Sequence, residues 1–412
     1  MGYLPARVAG EDTPHYGVCL HNNRFASGLF GQEGVLKKGL TVRWFTACCL
    51  LLFLFSCARD TSTPFSQGKE KIRIAVLKGA RDLKIGGVGI TAAGTEFNKE
   101  NTALVVLEEE DILTINGKKI PDSSVIFSSE NGILYLNGRP FRGKIEVIKD
   151  QRGFLVVNEL PLEFYIAGLI NHEISSKWPI EAVKTQAVIA RTYALYQKKK
   201  KGAATYHMES TVIDQVYSGS IAEDDRSIHA VKETIGEVLT YNGELALTVY
   251  HSNGGGATED SKNVWGKDYP YLRQVKSPFD KDSPNFSWML NISMGSVETA
   301  LKGAGYQAAD VKDIIPLSRT NSGRITRLRI LHGKGELEVS GEDLRKAIGY
   351  DKLKSAMFTA EMADGLFVFN GKGSGHGVGL SQWGAKGMAE EGYSYTEILK
   401  HFYPGTSLER IY

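Results

Sequence analysis

Glu173 is the first residue whose position suggests chemistry. It lies eleven residues after Leu162, and eleven helical steps of about 100° nearly close three turns. A helix reaching that far would put the acid on the apolar face formed by Leu162, Tyr165, Ile166 and Leu169. An acid on a buried stripe must be paired or protonated, because a bare buried carboxylate is costly. Desolvation would raise it from the ordinary value of about 4.3, leaving a carboxyl that can give a proton near neutral pH. The alternative is a salt bridge that simply ends the helix. Arg191 repeats the spacing, eleven residues after Ile180 and on the side of Val183 and Ala187. A buried arginine needs an acceptor, and Glu173 or a sugar hydroxyl would serve; otherwise it snorkels to the surface.

Three other stretches invite the same question. Between Gly371 and Gly379 glycine recurs at every second position. A strand there would have one bare face, open to another backbone or a flat sugar ring, with Lys372, Ser374, His376, Val378 and Leu380 on the other. The run lacks the spacing of a phosphate loop. His376 serves either the fold or the site. His251-Ser252-Asn253 precedes a glycine triplet and presents an imidazole and a hydroxyl on a tight turn. No Gly-x-Ser-x-Gly elbow supports a serine hydrolase, and no His-Glu-x-x-His pair supports a zinc hydrolase. Trp265, Tyr269, Tyr271 and Trp383 are candidates for stacking on sugars or for the core.

The elements that must position these residues follow from local pattern. Ile72–Val157 reads as short strands, with Asn116-Gly117 and Asn137-Gly138 as hairpin turns. A helix begins at Pro161, whose ring suits a first helical position, with Glu163 at its positive start. A second, alanine-rich helix begins near Pro179 and ends in Lys198–Lys201, a solvated basic end. Residues 238–278 read as strand-like around Gly254–Gly256. Residues 285–360 mix strands (Ile325–Leu331, Glu336–Val339) with a helix over Gly341–Ile348. A short helix from Ser381 closes near Gly392, and Ser394 with Glu397 forms a capping box for the last helix. There are no internal repeats.

Composition is that of a globular chain of 412 residues, 42% hydrophobic and 23% charged. The first 57 residues hold five of the 49 Lys/Arg and three of the 47 Asp/Glu, so the remainder balances. A neutral body gives no basic stripe for nucleic acid. All four cysteines (Cys19, Cys48, Cys49, Cys57) precede residue 58, leaving the body no disulfide, cysteine nucleophile or thiolate metal site. Lys37, Lys38 and Arg43 precede the apolar run Trp44–Phe55, too short to span a bilayer. Leu54-Phe55-Ser56-Cys57 resembles a bacterial lipobox, with Cys57 as the lipidated residue; an ordinary signal peptide is the alternative. Ala58 after it fits outer-membrane sorting where the cell has such a membrane. Residues 1–34 do not resemble an export signal, and translation from Val35 or Leu36 would account for them. The expected organisation is a leader over 1–57, a tether over 58–71, a β-rich region over 72–157 and a body over 158–412, with 285–360 a smaller subregion.

Leu160-Pro161-Leu162-Glu163-Phe164-Tyr165 through Glu173, then Trp178-Pro179 through Ala190-Arg191-Thr192-Tyr193-Ala194, resembles the SpoIID/LytB family. Asp214–Gly219, His251–Gly255, Val264–Gly266 and the closing Gly375–Ala385 carry the same resemblance. It implies an α+β fold, a β-rich N-terminal part followed by a mixed α/β body with a substrate groove, and work on peptidoglycan. One branch, stage II sporulation protein D, is a lytic transglycosylase acting on glycan strands stripped of stem peptides; the other enhances a partner amidase. The family's catalytic glutamate falls on Glu173 and its active-site arginine on Arg191. Ser252, His376, Gln382 and Trp383 would line the groove. Some relatives hold a zinc partly by cysteines, which this body lacks, so neither metal nor cofactor is carried over. The expected protein is exported and lipid-anchored. It would cut stem-free strands to 1,6-anhydromuramyl ends or, in a rival reading, bind glycan and stimulate an N-acetylmuramoyl-L-alanine amidase without cutting.

Overall fold

The computed structural model describes residues 70–412, apart from 93–94, 97–101, 109–111 and 212–213. The lipidation at Cys57, the leader and nearly all of the tether lie outside the described residues. The chain is α+β. Its N-terminal part forms two antiparallel arrays. One sheet runs, in spatial order, Met208–Glu209, Lys71–Ala80, Gly153–Pro161, Lys144–Asp150, Ser124–Ser128, Thr91–Ala92 and Thr95–Glu96, with only the first pair parallel. The other runs Arg139–Arg142, Ile133–Leu136, Asp82–Gly87, Thr102–Leu107, Leu113–Ile115 and Lys118–Lys119. Alternation builds both: in Thr102–Leu107 the residues Ala103, Val105 and Leu107 are buried while Leu104 faces out. Asn116 and Asn137 adopt positive φ (50° and 48°) ahead of Gly117 and Gly138. That is the two-residue turn whose twist matches the flanking strands.

Strand Gly153–Pro161 leads straight into helix α1 (Leu162–Glu173), and α2 (Ile180–Lys201) follows. Pro161 is thus the last extended residue, with ψ 138°, and the helix starts one position later than the sequence suggested. The N–H of Leu162 donates to the carbonyl of Glu70, at the head of the first strand. α1 is not striped: ten of its residues are buried. It is sheathed by the sheet, by α2 and by α3 (Asp225–Glu233). α2 buries Ala182, Ala187, Ala190 and Ala194, which lets its neighbours approach closely. One apolar core runs from Ile72 and Phe127 through Tyr165 and Val188 to Phe402 and Tyr403, without a break near residue 157.

After strand Glu237–Tyr241, residues 242–278 are less strand-like than expected. They hold two two-residue strands, Glu244–Leu245 and Tyr250–His251, and a short helix α4 (Ser261–Trp265). Isolated bridges and turns replace a continuous ladder, and several backbone N–H groups bond instead to the side chains of Thr258, Asp260 and Ser261. A second core, with Trp288, Leu328, Phe367 and Phe369, lies between two three-stranded sheets, α5 (Met294–Gly303) and α6 (Gly341–Ile348). Strand Leu366–Lys372 completes that unit.

The glycine-striped segment is not a strand. Past Lys372 the chain is irregular until Leu380–Ser381, which pairs in parallel with Tyr250–His251. Gly379 has φ 70°, and a Cβ there would stand 2.1 Å from the carbonyl oxygen of Val249. The missing side chains therefore admit the protein's own groups: backbone of Asn253 and Val249 at Gly373 and Gly379, and the Trp288, His251 and Arg324 side chains at Gly371, Gly375 and Gly377. The closing elements are α7 (Gln382–Glu390), α8 (Tyr395–Phe402) and strand Ser407–Arg410, which pairs with Glu237–Tyr241. The capping box of Ser394 and Glu397 is formed. Among the described residues no helix is long and apolar enough to cross a membrane.

Candidate active site

Glu173 is the last residue of α1 and only 5% exposed, at the wall of a cavity of about 670 Å³. Asn171, His172, the turn from Ile174 to Trp178, Asp224, Ser252, Pro284, Gln382 and Trp383 form the rest of the lining. Burial pushes the Glu173 carboxyl up to about 8, although the Val216 N–H and the Tyr250 hydroxyl bond to it and oppose the rise. Its place at the negative end of a helix acts in the same direction as burial. The hydrogen bonds around it have a fixed sense. Tyr165 donates its hydroxyl to Gln215 Oε1 (3.0 Å), and Gln215 Nε2 donates to the Tyr250 oxygen (3.2 Å). Tyr250 then has its own hydrogen left for Glu173. Val216 N–H donates to Oε1 at 3.2 Å. With backbone and phenol both acting as donors, the carboxyl proton remains for a group in the cavity.

The opposite wall comes from the far end of the sequence. Pairing of Tyr250–His251 with Leu380–Ser381 sets Ser252 beside the start of α7, where Trp383 N–H donates to the Ser252 carbonyl (3.1 Å). Ser381 caps α7 through Gly384 N–H. Gln382 Nε2 reaches Gln186 Oε1 at 3.4 Å. Trp383 meets Trp178 edge to face, ring centres 5.1 Å apart. Ser252, Gln382 and Trp383 thus share the cavity with Glu173.

Arg191 does not. Its guanidinium is fully buried and forks onto Glu163, with Nε to Oε1 at 2.9 Å and Nη2 to Oε2 at 2.7 Å. The Glu237 carbonyl, Gly236 N–H and the Tyr412 hydroxyl complete that cluster. Glu163 sits in the first turn of α1 and Glu173 at its end, roughly 15 Å apart along the axis. Glu163, in the first turn of α1 as expected, is therefore also the missing acceptor, and Arg191 locks α1 to α2 without lining the cavity. His376 is also displaced. Its Nδ1 accepts from Val378 N–H and its Nε2 donates to the Tyr250 carbonyl, both at 3.0 Å. Burial drives it down to about 3, so it is a neutral imidazole with both nitrogens committed to backbone. It supports the Tyr250 strand from behind. Trp265 packs on His376, and Tyr269 and Tyr271 pack on each other, away from the cavity.

The sequence reading missed Asp224, a second carboxylate in the lining. Burial would raise it, but bonds from Ser176 Oγ (2.6 Å), Ser227 N–H (2.7 Å) and Asn171 Nδ2 (2.9 Å) outweigh that and hold it below the ordinary range. It caps α3 in a box with Ser227, a signal present in Asp224-x-x-Ser227 ahead of an amphipathic run. Two carboxyls whose surroundings drive them apart, one neutral and one ionised, are the arrangement acid catalysis uses. His172 is lowered by burial, and its Nε2 is buried with no hydrogen-bond partner. Among the described residues no three His, Cys, Asp or Glu side chains converge as a metal would need.

Comparison with known proteins gives two family matches. The family described as stage II sporulation protein (SpoIID) covers residues 150–241, and a domain of unknown function (DUF8618) covers 267–379. The first spans α1, α2 and Glu173; the second coincides largely with the second core. An uncharacterised protein of Brachyspira hyodysenteriae is 33% identical over 61% of this chain and 67% of its own length. The stage II sporulation protein D of Bacillus amyloliquefaciens is 32% identical over 60% of this chain and 74% of its own. The amidase enhancer of Bacillus subtilis is 32% identical over 59% of this chain, which spans only 40% of that relative.

Proposed function

Because this chain belongs to the stage II sporulation protein D family, we propose that it is a peptidoglycan lytic transglycosylase acting on stem-free glycan strands. The observation that carries the reading is a carboxyl kept neutral to about pH 8 in a cavity walled by two tryptophans. Glu173 protonates the glycosidic oxygen as the C1–O bond of the muramic residue breaks. The resulting carboxylate then takes the proton of the same residue's C6 hydroxyl while that oxygen bonds to C1. The products are a 1,6-anhydromuramyl end and a new 4-hydroxyl on the departing sugar, and Glu173 has its proton back. Hydrolytic glycosidases place a second carboxylate to act on water or on C1; here the nucleophile belongs to the substrate. Asp224, ionised and bound by three donors, holds the turn at Asn171 and Ser176 in place. General acid–base catalysis of this kind contributes about 10²–10⁴-fold.

The test is product analysis by mass spectrometry after incubation with stem-free strands. Wild type yields anhydromuramyl ends and Glu173→Gln yields none. Ends of ordinary reducing sugar, or equal products from both proteins, refute the mechanism. The name of the Bacillus subtilis relative supports a second reading, a glycan-binding enhancer of a partner amidase, which predicts strand binding and faster stem-peptide release by that amidase without new ends. In either case we place the protein in the cell envelope, exported and lipid-anchored at Cys57, in the outer membrane where the cell has one. Intact-mass measurement of the processed chain tests this, and a mature N-terminus other than Cys57 overturns it.

A further inference from the structure

The charge inventory of the cavity singles out one residue that the cleavage mechanism does not use. Lys177 is the cation of the lining. His172 is neutral there, and Lys386, which passes 5.2 Å from the Trp383 ring, is held by Glu390 at 2.5 Å. Lys177 itself has no carboxylate partner among the described residues. Of the two carboxyls in the lining, Glu173 is kept protonated by burial and Asp224 spends its oxygens on Asn171, Ser176 and Ser227. An exposed lysine without a partner is ordinary at a free surface. This one is presented by a pinned turn. Arg226 donates to the carbonyls of Ser176 and Trp178 on either side of it (2.7 and 3.0 Å). Ser175 holds its N–H through the hydroxyl at 3.2 Å. Lys177 is also adjacent to Trp178, half of the aromatic wall on which a sugar ring would rest. The remaining lining offers amides, hydroxyls and the carboxyls of Glu173 and Asp224, but no other positive charge.

We propose that Lys177 is a specificity residue that binds the free lactyl carboxylate of muramic acid, and so selects strands from which the stem peptide has been removed. In a stem-free strand that lactyl group ends in an anion; in a stem-bearing strand the same carbon is a neutral amide. A cation carried on a pinned turn beside the ring platform therefore separates the two chemically, whereas hydroxyl and amide contacts to the ring would treat them alike. This inference rests on the cleavage reading for its substrate, but its test does not depend on turnover.

The experiment compares stem-free strands with the same strands whose lactyl carboxylates have been converted to methylamides. Wild type and Lys177→Ala, Lys177→Glu and Lys177→Arg variants are measured for strand binding and for kcat/KM. Partly exposed ion pairs of this sort are worth roughly fivefold. Wild type and Lys177→Arg should prefer the free acid by about that factor, with the preference shrinking as salt is raised. Lys177→Ala should lose it through weaker binding of the acid alone, and Lys177→Glu should favour the methylamide. A Lys177→Ala protein that keeps the wild-type ratio between the two substrates overturns the proposal. If neither wild type nor any variant cleaves either substrate, the transglycosylase reading fails while the binding ratios still decide the role of Lys177.

Discussion

Replacing Glu173 with glutamine should make the folded protein more stable at high pH than at low pH relative to wild type. Below about pH 4.5 the acid is protonated in both folded and unfolded chains. Between that value and about 8 the unfolded chain releases the proton and the folded chain keeps it. The unfolded state then binds fewer protons, so wild-type stability falls as pH rises through this window and levels off above it. A gap from 4.5 to about 8, at about 1.36 kcal/mol per pKa unit, amounts to about 5 kcal/mol. That is a large part of the 5–15 kcal/mol typical of whole domains. The side chain is only 5% exposed, so solvent screening removes little of it. Glutamine does not titrate, and the cost of fitting its amide against the Tyr250 hydroxyl is the same at every pH. Urea unfolding at pH 5 and pH 9 separates the two contributions. The difference in midpoint between variant and wild type should shift toward the variant by several kcal/mol, with unchanged slope. An equal difference at both pH values would refute the claim that Glu173 is a buried neutral acid, and the proton-donor mechanism with it.

Other consequences are as direct. Arg191→Ala should cost about 3–5 kcal/mol in urea unfolding by stranding the Glu163 carboxylate, while the activity per folded molecule stays near wild type; a specific loss of kcat at full stability would return Arg191 to the site. Trp383→Ala should weaken glycan binding with little change in unfolding midpoint, since the ring borders a cavity rather than filling a core; unchanged binding refutes the stacking role. Asp224→Ala removes a helix cap worth about 1–2 kcal/mol and frees the Asn171 and Ser176 turn, so both the urea midpoint and cleavage should fall; Asp224→Asn should retain much of the cap and recover part of each. Gly379→Ala, with its Cβ directed at the Val249 carbonyl, should lower the midpoint far more than Gly365→Ala, where φ is also positive but the space is open.

Local rules made much of the framework legible. Asn-Gly turns, the Ser394 and Glu397 cap and the bounds of Gly341–Ile348 depend on neighbouring residues only, and all three follow from the sequence. The spacing of Glu173 pointed to burial but left a salt-bridged helix end open; the structure buries it in a helix covered on nearly every side rather than on one apolar stripe. Arg191 obeyed the same arithmetic, which left burial and snorkelling both open; the structure buries it, and periodicity in any case gives no partner. Glu163, which the pattern assigned to a helix start, supplies the acceptor because α2 crosses that end of α1. The glycine run failed differently. Alternation suits a strand, yet four of its glycines take positive φ, which no two-residue period distinguishes from a pleated segment. Asp224 was overlooked because the sequence reading did not recognise the helix it caps, and only the fold of the Asn171–Trp178 turn brings it into the lining.

The cavity is assembled from pieces that are remote along the chain: Glu173 and Trp178, then Asp224, then Ser252, and last Gln382 and Trp383. Its second wall stands only when Leu380–Ser381 docks beside Tyr250–His251. Closing so large a loop is entropically costly and late. A nascent or threaded polypeptide carrying Glu173 therefore has an acid still in water, ionised at neutral pH and without a ring platform opposite it. On the proposed reading the cleavage site is therefore incomplete until the segment from Leu380 onward is in place, which makes completion of folding itself the step that arms it.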